Sequence, residues 1–178
     1  ELTGKEWLQN SFSIWRDIRK ENGEKLMKHP AMFPEKLSSK VINIFSVKND
    51  TVLDPFMGTG STIVSACKEG RKGIGFELSK EFVKITEQRI NDLKLKTNKP
   101  DLYNKDSRAI SKHIKAGSVD LCLTSPPYWD VLNMNRTADR KEKINYGNLN
   151  KDLGNISDYN IFLDELKGIF VEVYKVLK

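Results

Sequence analysis

Apolar positions along the chain change period several times, and each change marks a new element. Thr3-Gly4-Lys5-Glu6 has the spacing of a capping box, and Trp7, Leu8, Phe12, Trp15 and Ile18 follow at helical intervals. This predicts a first helix that packs that face on the body and turns Arg16, Arg19 and Lys20 to water; for the tryptophans, core packing outweighs base stacking. The charged segment from Glu21 to Lys28, with Gly23, reads as a connection. Pro34 suits the first turn of a second helix, whose stripe is Leu37, Val41, Ile44 and Phe45. Beyond it the pattern alternates short apolar runs with helical ones. Thr51 to Pro55 is a strand, Ser61 to Glu69 a helix closed by Gly70, and Gly73 to Glu77 a strand. Ser79 then caps a helix that carries Phe82, Val83, Thr86, Ile90 and Leu93 inward to about Lys96. Asp101 to Lys105 reads as an edge strand, Ser107 to Lys115 as a short helix, and Val119 to Leu123 as a buried fourth strand that Pro126 and Pro127 must end. Trp129 to Ile156, about 28 residues, shows no period and is a loop or lid. Ser157 or Asp158 caps a last helix through Ile161, Phe162, Leu166, Ile169, Phe170, Val173 and Leu177.

Strands alternating with helices place the chain in the α/β class, with a mostly parallel sheet and flanking helices. At 178 residues one domain is expected, residues 1–28 forming an amino-terminal helical extension and 129–156 the loop or lid. The net charge of +6 suits a polyanionic partner without requiring one. No apolar run reaches the roughly 18 residues of a membrane span, and Glu1 to Glu6 lacks the apolar stretch of a signal peptide, so the expected location is cytoplasmic with no membrane partner. Cys67 and Cys122 stand alone in apolar contexts and read as buried free thiols, and His29 and His113 are too few for a zinc cluster, so no metal is expected. Within the long loop, Arg140-Lys141-Glu142-Lys143 is a candidate phosphate contact.

Candidate chemistry collects at strand ends. Phe56-Met57-Gly58-Thr59-Gly60 follows the first strand and precedes a helix, the outline of a cofactor turn. A dinucleotide fingerprint would need glycine at Ile63, and a phosphate loop would need Gly-Lys-Ser or Gly-Lys-Thr where Gly60-Ser61-Thr62 stands, so both phosphate readings lose ground. Three strands end in acids, Asp54, Glu77 and Asp106, and the fourth in Ser125-Pro126-Pro127-Tyr128. Glu77 lies 17 residues after Gly60, near the spacing of an acid that binds a ribose diol; a solvated carboxylate at a helix start is the alternative. A cofactor gripped by acids should carry hydroxyls and positive charge, which fits S-adenosyl-L-methionine. Glu77 would accept from its ribose, Asp106 from its adenine amino group, and the Phe56 to Gly60 backbone would approach its methionine part. Ser125 and the Pro126 carbonyl offer acceptors for an amino group, and Tyr128 a face for a planar base.

On these motifs the chain resembles the DNA amino-methyltransferases, which move methyl from S-adenosyl-L-methionine to N4 of cytosine or N6 of adenine. Asp54-Pro55-Phe56-Met57-Gly58-Thr59-Gly60 resembles the FxGxG motif, Ser125-Pro126-Pro127-Tyr128 the catalytic (Asp/Asn/Ser)-Pro-Pro-(Tyr/Phe), and His29 to Pro34 the segment lining the methionine end. The resemblance implies a Rossmann-like methyltransferase fold. It implies catalytic Ser125, Pro126, Pro127 and Tyr128, and a cofactor set of Pro30, Phe33, Asp54, Phe56, Gly58, Thr59, Gly60, Glu77, Leu78 and Asp106. Double-stranded DNA is the implied partner, its target base flipped out and stacked on Tyr128. Serine at the first motif position favours N4 of cytosine over N6 of adenine. Relatives continue past the last helix into further strands, so an incomplete catalytic domain is expected. The fourth strand would then have a bare edge, to be completed by another polypeptide or a homodimer. An RNA amino-methyltransferase and a non-catalytic cofactor-binding fragment are the competing readings.

Overall fold

A computed structural model of the chain describes residues 2–12, 14–25, 32–129 and 151–178. Pro30, His29, and the stretch 130–150 that includes Arg140, Lys141 and Lys143 lie outside the described residues. Four parallel strands form the sheet: β1 (Thr51–Asp54), β2 (Lys72–Phe76), β3 (Asp101–Tyr103) and β4 (Leu121–Cys122), in the order β3-β2-β1-β4. The chain therefore builds outward from β1 to one side and then returns to place β4 on the other. The crevice beyond the carboxyl ends of β1 and β4 is the switch point at which such sheets bind ligands.

Alternation along the strands divides the core into two layers. Leu53, Ile74 and Phe76 point to one face, where they pack with Ile110, Ile114, Val173 and Val176. Val52 points to the other and meets Ile42 and Ala66. On that second face β2 carries Gly73 and Gly75. A Cβ on Gly75 would lie 2.3 Å from Met57 Sδ, and one on Gly73 would lie 2.8 Å from Ile63 Cγ2, so the missing side chains let helix α4 (Ser61–Lys68) settle close on the sheet. Each strand is entered just after a left-handed residue: Asn49, Gly70, Asn98 and Gly117 have φ of 71°, 76°, 51° and 64°. The Asn98 side-chain amide bonds the Gly70 carbonyl and Asn49 Oδ1, tying the turns at this amino end of the sheet together.

The other helices are α1 (Gly4–Asn10), α2 (Asn22–Lys25), α3 (Glu35–Phe45), α5 (Lys80–Asp92) and α6 (Tyr159–Val176). The capping box at Thr3 forms as expected, with Thr3 N–H donating to Glu6 and Glu6 N–H to the Thr3 hydroxyl. The helix does not run on to Ile18. It stops at Asn10, where the Ser11 hydroxyl bonds back to the Leu8 carbonyl, and Trp7, Leu8 and Phe12 stay more than half exposed. Polar contacts tether this region instead: Asp17 pairs with Lys36 and Lys40, and Lys40 lies over the Trp15 ring.

In α3 the buried face is turned one residue from the expected stripe. Ser38 and Ile42 are buried while Phe45 is 65 % exposed. The cause is the seam with α4, where small residues meet and the Ser38 and Ser65 hydroxyls bond at 2.6 Å. Pro34 is the residue before the helix rather than in its first turn, and the buried Glu24 carboxylate accepts the Glu35 N–H at 2.7 Å. Helix α5 ends at Asp92 rather than near Lys96, because Lys94 turns left-handed. Ser79 and Asp158 cap α5 and α6 as expected. On α6, Phe162, Ile169 and Val173 are buried and Val176 joins them, whereas Ile161 and Phe170 face outward. The edge of β4 is not wholly bare: Val119 and Leu177 form a parallel bridge, with Lys178 N–H on the Val119 carbonyl at 3.0 Å.

Candidate active site

From the end of β1 the chain turns through Pro55 to Gly60, and two glycines make the turn possible. Gly58 has φ 51° and Gly60 φ 84°. A Cβ on Gly60 would also lie 2.4 Å from Thr86 Cγ2, so α5 presses directly on this loop. Helix α5 holds it in two further ways: the Thr86 hydroxyl donates to the Gly58 carbonyl at 3.3 Å, and the Arg89 guanidinium donates to the Thr59 carbonyl and to Glu35. Glu35 accepts Lys68 as well, and the two cations hold its carboxyl below the ordinary range despite burial. The Thr59 hydroxyl turns to Met32 Sδ, and Ser61 donates to the Phe33 carbonyl at 3.0 Å, which fixes the segment before α3 over the turn.

Glu77 follows β2 and bridges two loops. Its Oε2 accepts the Gly58 N–H at 3.0 Å and its Oε1 the Ser79 N–H at 2.7 Å. Burial pushes its carboxyl above the usual range, and the fields of Asp152 and Asp54 push the same way. The Asn104 side-chain amide donates to the carbonyls of Glu77 and Leu78, both at 2.9 Å, and so holds this strand end against the end of β3.

Asp106 follows β3, but Arg108 already engages it: Oδ1 accepts the Arg108 N–H and Oδ2 its Nη1, each at 2.9 Å. Arg108 also bonds Glu165 on α6 at 2.5 Å and the Lys151 carbonyl at 3.3 Å, drawing three walls together. The Ser107 hydroxyl donates to the Pro55 carbonyl, which joins this wall to the turn after β1. After β4, the Ser125 and Tyr128 hydroxyls lie 3.3 Å apart and Tyr128 is 52 % exposed.

These parts surround one cleft of about 900 Å³, counting the open space at its mouth. Of the residues expected from sequence, Phe33, Phe56, Gly58, Thr59, Glu77, Leu78, Asp106, Ser125 and Pro127 line it. Asp54 does not. It lies beneath the cleft, 1 % exposed, with its carboxyl raised by burial and with the Thr124 hydroxyl and the Phe56 N–H as hydrogen-bond donors. Gly60 is the residue before α4 and is turned to Thr86 rather than to the cavity. Pro126 and Tyr128 are not part of the lining, and Pro30 is outside the described residues.

Sequence reasoning missed Arg108, Ser107, Lys151, Asp152 and Leu153, all of which line the cleft. Asp152 is the notable one: its Oδ1 accepts the Gly154 N–H at 2.9 Å, and burial raises its carboxyl. It sits at the far end of the aperiodic stretch, where only its Asp-x-Gly turn spacing marked it. Cys122, within β4, is pushed up to about 12 by burial and by Asp54, and is no nucleophile at neutral pH.

Three carboxylates, Glu77, Asp106 and Asp152, and a glycine turn stripped of side chains make a receptor for a ligand rich in hydroxyl and amino donors. The carboxylates disfavour a phosphate beside the turn, although Arg108 and Lys151 also line the cleft. Residues 2–88 match the DNA methylase family. Among curated relatives, the chain is 40 % identical over 83 residues to the type II methyltransferase M.MthZI of Methanothermobacter thermautotrophicus, a match covering 44 % of this chain and 23 % of that one. It is 42 % identical over 85 residues to the orphan methyltransferase M.BamHII of Bacillus amyloliquefaciens, covering 46 % and 32 %. The matches thus span about a quarter to a third of those relatives' length. Among solved structures, a candidate rRNA-methylase from Clostridium thermocellum superposes with a TM-score of 0.56 at 16 % identity, covering 80 % of this chain and 65 % of that one. This last likeness establishes a Rossmann-like fold and nothing finer.

Proposed function

We propose that this chain, whose residues 2–88 match the DNA methylase family, binds S-adenosyl-L-methionine and serves the transfer of its methyl group to an exocyclic amino group of a DNA base. N4 of cytosine is favoured over N6 of adenine by Ser125 at the head of its motif. The observation that carries the reading is that one cleft holds Glu77 and the glycine turn on one side and Ser125 and Pro127 on the other.

The residues present fit the cofactor. Glu77 uses one lone pair of each oxygen on backbone donors and keeps others for a ribose diol. Asp106, oriented by Arg108, can accept from an adenine amino group while keeping that pair. Phe33 and the backbone at Gly58 would face the methionine portion. When bound, the cofactor supplies a methyl group on a cationic sulfur.

The other steps belong to the chain. Tyr128, half exposed, presents a ring on which a flipped base can stack. The amino group of such a base is a poor nucleophile because its lone pair is delocalised into the ring. Ser125 Oγ and the Pro126 carbonyl accept its two hydrogens and localise the lone pair toward the cleft. The consecutive prolines keep these acceptors rigid, so little reorganisation is needed as charge develops on nitrogen. No strong base is required, because the methylated ammonium is itself very acidic.

Double-stranded DNA is the proposed partner, and a complementing polypeptide or a second copy along β4 is proposed to complete the sheet. The test is methyl transfer from labelled cofactor to duplex DNA, RNA and protein, alone and with a complementing segment, followed by digestion to nucleosides. Label in N4-methylcytosine supports the reading in full, and label in N6-methyladenine corrects the base. Label in RNA alone, or cofactor binding without transfer under every condition, overturns the DNA methylase assignment.

A further inference from the structure

Asp54, a cofactor ligand by its place in the sequence, is buried between the site's two halves. It ends β1, and Thr124 stands two residues beyond β4 on the neighbouring strand. A single oxygen, Oδ1, accepts the Phe56 N–H at 3.0 Å and the Thr124 hydroxyl at 2.7 Å. The Thr62 hydroxyl, in the first turn of α4, donates to the Leu123 carbonyl at 3.4 Å and so adds a tie between α4 and this strand end. The Leu123 N–H to Leu53 carbonyl bond, at 3.0 Å, is the last backbone link between the strands before they diverge. Beyond it, Asp54 joins the turn at Phe56 to the strand end at Thr124 by hydrogen bonds, while Phe56 and Trp129 pack on one hydrophobic cluster.

A carboxylate 1 % exposed with no cation paired to it among the described residues is costly, and burial raises its carboxyl accordingly. An asparagine in its place would keep one acceptor oxygen and bring an amide that must itself find an acceptor. A carboxylate can accept from Phe56 and Thr124 together and bring no donor of its own. We propose that Asp54 is a positioning residue: through the Thr124 hydroxyl it fixes Ser125 to Tyr128 against the Phe56 to Gly60 turn, so that a ligand seated in that turn orders the amino-acceptor turn. The inference rests on the cofactor reading of the cleft and adds to it a physical link between donor and acceptor.

The decisive variant is Thr124→Val, which removes the hydroxyl at nearly constant shape, with Thr124→Ser as the conservative rescue. The chain is titrated calorimetrically with S-adenosylhomocysteine, and amide exchange at Ser125, Tyr128 and Trp129 is followed by NMR with and without it. In the wild type, bound ligand slows these amides roughly tenfold, within the usual range of coupling between sites. Thr124→Val binds with affinity within about two-fold of wild type but loses the slowing, and Thr124→Ser restores it. A general loss of stability would instead speed exchange across α4 and β2, in the free and bound states alike. Undiminished slowing in Thr124→Val, loss of affinity alongside it, or wild-type binding without slowing overturns the inference alone. A wild-type chain that binds no ligand brings down the cofactor reading as well.

Discussion

Gly60→Ala tests the geometry of the cofactor turn at its tightest point. Two separate penalties apply. At φ 84° the backbone is left-handed, which costs an L-residue about 1 kcal/mol more than glycine. The new Cβ would also lie 2.4 Å from Thr86 Cγ2 and 2.7 Å from its Oγ1. Thr86 cannot swing aside freely: it is β-branched within a helix, and its hydroxyl is bonded to the Gly58 and Phe82 carbonyls. Overpacking of this kind costs about 1–3 kcal/mol. The sum is about 2–4 kcal/mol, equivalent to roughly 4–16 °C in melting temperature for a chain of this size. Urea and thermal unfolding measure it, and a cycle with Thr86→Ala separates the causes, since the hydrogen bonds lost with the threonine are lost on both sides of that comparison. In the Thr86→Ala background, Gly60→Ala should cost less, about 1–2 kcal/mol, since the left-handed part stays and the Cβ at position 86 still lies 3.0 Å away. A cost below about 0.5 kcal/mol in the wild-type background, or a cost that Thr86→Ala leaves unchanged, would refute the packing argument.

Three further outcomes are expected. Glu77→Gln should weaken S-adenosyl-L-methionine binding roughly 10- to 100-fold, as for loss of a hydrogen bond to a charged group, and unchanged calorimetric affinity would remove Glu77 from the site. The same variant tests linkage: Glu77 has its folded-state pKa raised, so its contribution is fully present below the unfolded value and lost as pH rises through the folded one. Without ligand, the variant should therefore gain stability relative to wild type from acid toward neutral pH, and parallel curves of melting temperature against pH would contradict this. Cys67 and Cys122, pushed up to about 11 and about 12, should resist iodoacetamide at pH 8 in the folded chain and react once guanidinium is added; alkylation of the native chain at a free-thiol rate would show the burial to be wrong. Arg89→Met, which strips donors from Thr59 and Glu35, should cost about 1.5–3 kcal/mol in urea unfolding, and a cost near zero would mean the guanidinium does not hold the turn.

What could be read in advance was what local chemistry decides. Ser79 and Asp158 are caps because their side chains reach backbone donors two or three residues on, and Gly70 closes α4 because only a left-handed residue fits there. The acid-tipped strands could be read for the same reason, each being short, apolar and followed by a turn. What could not be read depends on neighbours remote in sequence. The buried face of α3 was set by the serines of α4, and the extent of α1 by a hydroxyl that competes with the helix backbone. Asp54 shows the limit most clearly. A strand-end acid looks the same whether it faces a ligand or an adjacent strand, and only the placement of β4 beside β1 sent it to Thr124. Arg108 and Asp152 likewise reach the cleft through contacts that no periodicity encodes.

The left-handed residues that introduce the four strands all lie at the end of the sheet opposite the cleft, and the cross-links among Asn49, Gly70 and Asn98 hold that end without help from the site. This makes the molecule suitable for tethering. A dye, an affinity handle or a surface anchor attached at exposed Ala116, in the turn before β4, would leave the opposite end facing free solution. Single-molecule or surface-based measurements of ligand capture could then be made on an oriented layer, with every cleft presented the same way.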